Sequence, residues 1–575
     1  MKNKMKKYII LPVLSVFMLV GCNEDSFLDQ TNPNTITTET FWNTPEQFQT
    51  GLTTVYGALQ FQNISGGGLV NEMIMGDIGG TESWYRPFTF RNLTYNDGTY
   101  YVTDKWNELY VGIFRANQVI ENLETSDADF ADGEKESIEA QAKFLRAFYY
   151  FQLAYTYGGA VIHTKVAESK EDFSKPFSSI EEVRETILVP DLEFAASHLP
   201  QVWSSESLGR VTEGAAKSLL GKVYLYNKNY SEAATLFKDV IDSGIYSLVP
   251  DIMDNFTTEN EYNSESIFEV AYNSDANPGA NGDVVDDTVN GTGAEATTIA
   301  NAFGQLNFGG YNTLLPTYYL HELLTSDEVD PSNPINAGKI HSQRLSATIA
   351  PINGETDYYL LPIGERGGWA YGQSAYIKKQ TNWYHWKQED GNSRSGINFR
   401  HIRLADVYLM YAEAVLESSG NVSEAVKYID MVRSRAGVIT LQKYMDANGG
   451  QFPQLHVSLQ VHGSRPFVSP TPATVLTHIQ RVERPVELAF EGQRWKDLVR
   501  WGIVKEVFDD LRSEEVWREN NKDILNITGD GIAPLFIKER VRPDFNLSSV
   551  NYLSSAHDYF PIPVQEQQTN DQLNN

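Results

Sequence analysis

The sequence predicts a mainly α protein, an irregular tetratricopeptide-like helical-repeat scaffold interrupted by long loop-rich insertions. Three observations predict it. Leu220, Gly221 and Tyr224, followed by Ala233 and Phe237, match the template W-x2-L-G-x2-Y with A-x3-F, and only Lys217, at the Trp position, departs. A weaker copy runs from Leu404 to Ala436, with Gly420 and Asn421 at its turn and Ala425 and Ile429 at the same spacing. Several further stretches carry apolar stripes at helical spacing between recognisable caps. Small residues at 221 and 233 let two antiparallel helices approach while the large ones fill the seam, so the repeats read as framework.

Near the start of the chain, Thr44, Pro45 and Gln47 supply an N-cap, a first-turn proline and a capping-box partner, ahead of Phe48, Leu52, Val55, Tyr56 and Leu59 at helical spacing. A second helix is predicted from Asp104 to Leu123, with Trp106, Leu109, Tyr110, Ile113, Asn117 and Ile120 on one stripe. Asn117 on that face reads as a hydrogen-bonded core amide. A third helix, Glu134 to Tyr157, is apolar all round at Phe144 to Phe151 and ends at Gly158 and Gly159. Ser179 and Glu182 form another capping box, and Pro190 is expected to break or kink the helical pattern ahead of Asp191 to Leu199.

Three insertions punctuate the scaffold, at about 273–313, 360–398 and 438–472. The first holds seven Gly and seven Asn with little helical periodicity and predicts a long loop. In the third, His456, Ser458, Gln460 and His462 alternate with Val457, Leu459 and Val461, which predicts a short strand with one wet face.

Composition narrows the function. The chain of 575 residues carries 46 Lys and Arg against 75 Asp and Glu, a net charge of −29, which argues against nucleic acid as a partner. Its single cysteine, Cys22, excludes disulfides within the chain, Cys zinc sites and a Cys nucleophile deeper in the fold. Lys2, Lys4, Lys6 and Lys7 precede an apolar run from Tyr8 to Val20, too short to span a bilayer and laid out as a secretory signal. Leu19, Val20, Gly21, Cys22 resembles a bacterial lipobox. Residues 1–21 are therefore expected to be a lipoprotein signal peptide, Cys22 the acylated residue, 22–40 an acidic and polar tether, and 41–575 a single folded domain.

Motifs of catalysis fail on inspection. His321 and Glu322 start like a zinc-protease helix, but Thr325 stands where the second ligand belongs. Gly338 and Lys339 lack the first glycine and the hydroxyl of a phosphate loop, Asn333 and Ile340 taking those places. There is no G-x-S-x-G elbow. No cofactor, metal or catalytic residue is expected.

Several blocks together resemble the SusD/RagB family of Bacteroidota surface lipoproteins. They are Trp106 to Asn117, then Glu139 to Phe151 running on to Gly159, Asn263 to Glu269, Arg403 to Ala414, Glu483 to Trp501, and Pro561 to Pro563. The resemblance implies a nutrient-binding lipoprotein on the outer membrane, facing outward. It would capture oligosaccharide or polysaccharide and deliver it to a SusC-like TonB-dependent transporter. A RagB-like peptide receptor is the alternative, and a surface glycoside hydrolase a more distant one. The Glu483 to Trp501 block also reads physically as a helix on which Glu491 pairs with Arg494 and Asp497 with Arg500 at its flanks.

The family fixes no binding residue by motif, so candidates come from chemistry. Sugars offer apolar faces and many hydroxyls, and a receptor needs aromatic plates beside polar partners. Residues 365–386 contain Trp369, Tyr371, Tyr376, Trp383, Tyr384 and Trp386, interleaved with Gly, Gln, Asn, Lys and Arg. A second cluster places Trp84 and Tyr85 between Glu82 and Arg86, after Gly79 and Gly80. The candidate ligand residues are Trp84, Tyr85, Trp369, Tyr371, Trp383 and Tyr384, with the loop around Tyr311 as the next choice.

Overall fold

Capping and packing set the helical frame. In the computed structural model, which describes residues 41–82, 88–275, 295–352, 354–363, 373–392, 394–525 and 540–573, Thr44 and Gln47 close a reciprocal capping box on the helix Pro45–Gly57. That helix lies on Tyr100–Thr125, which packs against Glu134–Tyr157. Phe144 to Phe151 are all buried, and Gly158 ends the helix at φ +79°, where an L side chain would be strained. Asn117 is a core amide, donating to the His163 carbonyl and accepting from Arg146 at 2.9 Å each.

Ser179 and Glu182 cap the next helix as predicted. Pro190 does not break it. A π turn, Arg184–Leu188, precedes Val189–His198 and shifts the hydrogen-bond register, so the missing proline N–H is tolerated and the helix continues.

From there the scaffold is a chain of neighbours: Val189–His198 on Glu213–Tyr226, that helix on Tyr230–Asp242, then Leu404–Ser419 and Val422–Arg435. The two repeat copies, far apart in sequence, therefore stack directly. A Cβ on Gly221 would lie 2.7 Å from the Phe237 ring, which is why the template demands a small residue there. Gly420 takes φ +66° at the second turn and Asn421 caps the next helix.

Among the described residues the strands form six two-stranded antiparallel pairs, one of them wholly inside an insertion, and the insertions also carry short helices. The first is less irregular than its composition predicts, since the helix Ile299–Phe303 and the turn Leu306–Phe308 form within it. The third holds the helix Leu441–Ala447 and the pair Phe452–Pro453 with Phe467–Val468. The strand expected at 456–462 is absent. Ser458 instead caps the short helix Leu459–His462 and donates to Glu322 at 2.7 Å, so the alternation reflects a cap.

The Glu483 to Trp501 block also corrects an expectation. Phe490 and Gly492, at φ +61° and +76°, separate Arg484–Glu487 from Arg494–Trp501, so Glu491 and Arg494 share no helical face. Glu491 binds Arg403 and Lys379, at 2.8 and 2.9 Å, while Arg494 grips Asp77 at 2.6 Å. Only Asp497 and Arg500 pair as expected, at 2.9 Å. Arg500 apart, these charges are buried, and all but the local Asp497–Arg500 pair join distant segments instead of decorating a helix flank.

Candidate functional site

Of the predicted ligand residues, Trp84, Tyr85, Trp369 and Tyr371 lie outside the described residues, as do Cys22, the signal segment and the tether. Their flanks are described, and they converge. Gly79–Gly80 pairs with Leu315–Pro316, and the latter strand packs beside Ala375–Ile377. Arg542 spans the junction: it donates to Gln373 at 2.9 Å, just after the Trp369 segment, and to the Pro316 carbonyl at 2.8 Å. A Cβ on Gly80 would lie 2.3 Å from its guanidinium. Arg540 pairs with Glu82 at 2.7 Å, just before the Trp84 segment. The described flanks of both aromatic segments thus meet around Arg540 and Arg542.

Trp383 and Tyr384 are described and adjacent, their rings edge to face at 5.9 Å. Trp383 is half-buried against a small cluster containing Tyr358, Tyr359 and Tyr376. It is part core, and Tyr376, fully buried, is core outright. The Lys378 ammonium sits 3.6 Å from the centre of the Trp383 ring and donates to Thr356 at 2.6 Å. Burial pushes its pKa down to about 7, against the opposing pull of Asp251 and Asp357. The Tyr384 hydroxyl bonds the backbone and side chain of Thr258 at 2.8 Å each, and burial raises its pKa. His385 and Trp386 continue the row of rings.

A buried carboxylate holds these loops together. Glu389 accepts from the Tyr359 hydroxyl and the Asn382 backbone at 2.8 Å and from the Asn382 amide at 2.7 Å. Its own N–H donates to Phe308, and Asn301 donates to the Asp390 carbonyl at 2.9 Å. Burial raises the Glu389 pKa, and the three donors counter it. The loop bearing Tyr311, half exposed to solvent at 51%, is therefore pinned directly to the loop bearing Trp383. Four non-glycine residues here adopt left-handed backbone: Asn312, Tyr359, Leu360 and Gln380, at φ +51° to +64°. Such conformations cost roughly 1–2 kcal/mol each and persist where a site's geometry is over-determined. Composition did not reveal Phe308, Tyr359, Lys378 or Glu389. The Tyr358, Tyr359 pair was the one available signal, because an acid between Gln388 and Asp390 reads as solvated.

A helical-repeat scaffold whose loops hold aromatic rings beside polar groups suits binding. The profile described as the SusD family matches residues 264–575, and one described as "Starch-binding associating with outer membrane" matches residues 26–225. The chain belongs to the SusD family. A SusD-like protein of Formosa agariphila, P25, is 25% identical over 98% of this chain and 96% of its own. Among solved structures, a SusD superfamily protein of Bacteroides vulgatus superposes with a TM-score of 0.72 at 23% identity, covering 93% of this chain and 99% of that one. Surface glycan-binding protein A of Bacteroides thetaiotaomicron, in complex with laminarihexaose, gives a TM-score of 0.64 at 20% identity over 92% and 98%. A laminarin-binding SusD-like protein gives 0.63 at 24% over 92% and 98%.

Proposed function

We propose that this chain is a glycan-binding surface lipoprotein, without catalytic activity, that captures oligosaccharide on its aromatic loops. The observation that carries the reading is that the described flanks of the two aromatic segments, Gly80 and Gln373, meet at Arg542. Trp84, Tyr85, Trp369, Tyr371, Trp383 and Tyr384 would supply the aromatic plates. Ring faces would stack on sugar C–H surfaces, while amide and carboxylate groups between them take hydroxyls. Family relatives named for laminarin and starch binding support the ligand class. The lipobox at Cys22 supports anchorage by acyl chains on the outer membrane, and delivery would be to a SusC-like TonB-dependent transporter. Among the described residues no helix is long and apolar enough to cross a membrane.

The test is a polysaccharide panel. Retention of the protein by at least one glycan, with no new reducing ends, is the expected result. Product formation would make it an enzyme, and retention by peptides alone would make it a peptide receptor.

A further inference from the structure

A cavity of about 590 Å³ lies between the helix Tyr100–Thr125, the segment 163–173 and the C-terminal helix Val564–Thr569. Of the candidate ligand residues, the two described ones, Trp383 and Tyr384, do not line it. One helical stripe, Asn107, Tyr110, Phe114 and Asn117, forms its wall. The Tyr110 hydroxyl is spent on Val161, donating to the carbonyl and accepting from the N–H at 2.9 and 2.8 Å. Trp106 and His163 contact the ring, at centroid distances of 4.9 and 5.9 Å, and with the spent hydroxyl they hold it in place. Phe114 and Phe173, on the same cavity, are 42% and 61% exposed. Large exposed rings around a concavity are characteristic of a binding site.

The polar groups decide what kind. Asn107, Lys165 and the His163 imidazole have no hydrogen-bond partner among the described residues. Burial holds the imidazole neutral, its pKa lowered to about 4. Glu566 spends one oxygen on Asn570 at 3.0 Å and pairs with no cation among the described residues. Asn570, itself buried, donates also to the Lys175 carbonyl at 2.8 Å and so fixes the C-terminal helix against the 163–175 segment. Unspent donors and acceptors therefore surround aromatic faces from three elements. An acyl chain or an apolar peptide side chain would leave those groups unpaired, at a cost of about 1–3 kcal/mol for each one desolvated. A sugar ring satisfies both walls and rim, and the volume suits a short saccharide.

We infer that this cavity is a second saccharide subsite, with Tyr110, Phe114 and Phe173 as plates and Asn107, Lys165 and Glu566 as hydroxyl partners. It rests on the reading of the protein as a glycan receptor and adds a separate place of contact on the same chain. A long polysaccharide would then be held at two points, which raises avidity through effective concentration.

The experiment uses affinity electrophoresis of the full chain in gels containing laminarin, starch, xylan or mannan. Phe114→Ala/Phe173→Ala removes the plates, Lys165→Met/Glu566→Gln keeps the plates and removes the rim, and Trp383→Ala weakens the loop site. With melting temperatures close to wild type for the two cavity variants, each is expected to weaken retardation by about tenfold in the gel that retards wild type. Each should also abolish what Trp383→Ala leaves. Wild-type retardation in both cavity variants would overturn the subsite and leave the glycan reading standing. Loss with the plates but not with the rim would overturn a saccharide as occupant. If no gel retards the wild type, the glycan reading fails and the subsite with it.

Discussion

Trp383 lies between a small buried cluster and solvent, so truncating it acts on two quantities at once. Trp383→Ala is expected to cost on the order of 2 kcal/mol of glycan affinity, roughly thirtyfold. Because the ring is only half-buried, stability should fall by about 2 kcal/mol, less than for a fully buried Trp. Calorimetry and a thermal melt on the same sample separate the two, and a lowered melt with unchanged affinity would make Trp383 a core ring only. Its neighbour Lys378 gives a pH signature. The folded pKa of about 7 lies below the ordinary 10.5, so between these values the unfolded chain holds a proton that the folded chain lacks. Stability contributed by Lys378 therefore rises with pH across that window. Denaturant midpoints at pH 7.5 and 9.5 should show this rise in wild type and a smaller one in Lys378→Met. Parallel profiles would show that the ammonium is not desolvated.

At the scale of elements, the repeat pair gives the sharpest prediction. Gly221→Leu forces a side chain into the Phe237 ring and should destabilise by roughly 1–3 kcal/mol through overpacking, with affinity retained in the fraction that still folds. An unchanged melting temperature would mean the two helices do not meet there. This element was legible because Gly221, Ala233 and Phe237 encode a local packing geometry at fixed spacing. The capping boxes at Thr44 and Ser179 were legible for the same reason. The 456–462 segment was misread because a capped single turn and a short strand can share one alternating pattern. The Glu491 to Arg494 pair was misread because nothing in the spacing announces Phe490 in a left-handed conformation. The candidate site was legible as composition, in its density of Trp and Tyr. Its clasp was not, since Glu389 meets Phe308 and Tyr359 only after the chain has folded.

For the whole molecule, anchorage and acid stability are both open to test. Cys22→Ser is expected to release the protein from the membrane fraction, since acylation there is the one anchor proposed. Recovery at wild-type level in that fraction would remove the lipoprotein reading. Acid stability is set by the buried charges. Burial alone would raise Glu265, but Arg435 and Arg403 outweigh it and hold it to about 2. Lys105 and Lys496 do the same for Glu72, also at about 2, and Arg484 and Lys222 for Asp406, again about 2. Glu483 is held well below its ordinary value by Arg344 and Arg433. These groups stabilise the fold above the unfolded pKa and lose that contribution as pH falls through the folded one. Between pH 6.5 and 4, burial of His321 and His401, with pKa values of about 4 and 3, works in the same direction. Burial of Glu108 and Glu515, both raised to about 8, opposes it from pH 4.5 upward, because the folded state there binds the extra proton. With His163 and His456, lowered to about 4 and 3, on one side and Glu261, raised to about 7, on the other, the opposed sets largely offset each other from neutrality to about pH 5. Below the ordinary carboxylate value of 4.5 the raised acids are protonated in both states and stop contributing. The acid-labile pairs then act together with the last of the buried histidines, and these pairs join the segment around Glu72, through Lys496, and the helix bearing Asp406, through Arg484, to the C-terminal block. Melting temperature followed from pH 8 to 2 should therefore hold to about pH 5 and then drop steeply and cooperatively. A steady decline beginning at pH 7, or a melt retained at pH 3, would show that these buried pairs do not carry the fold.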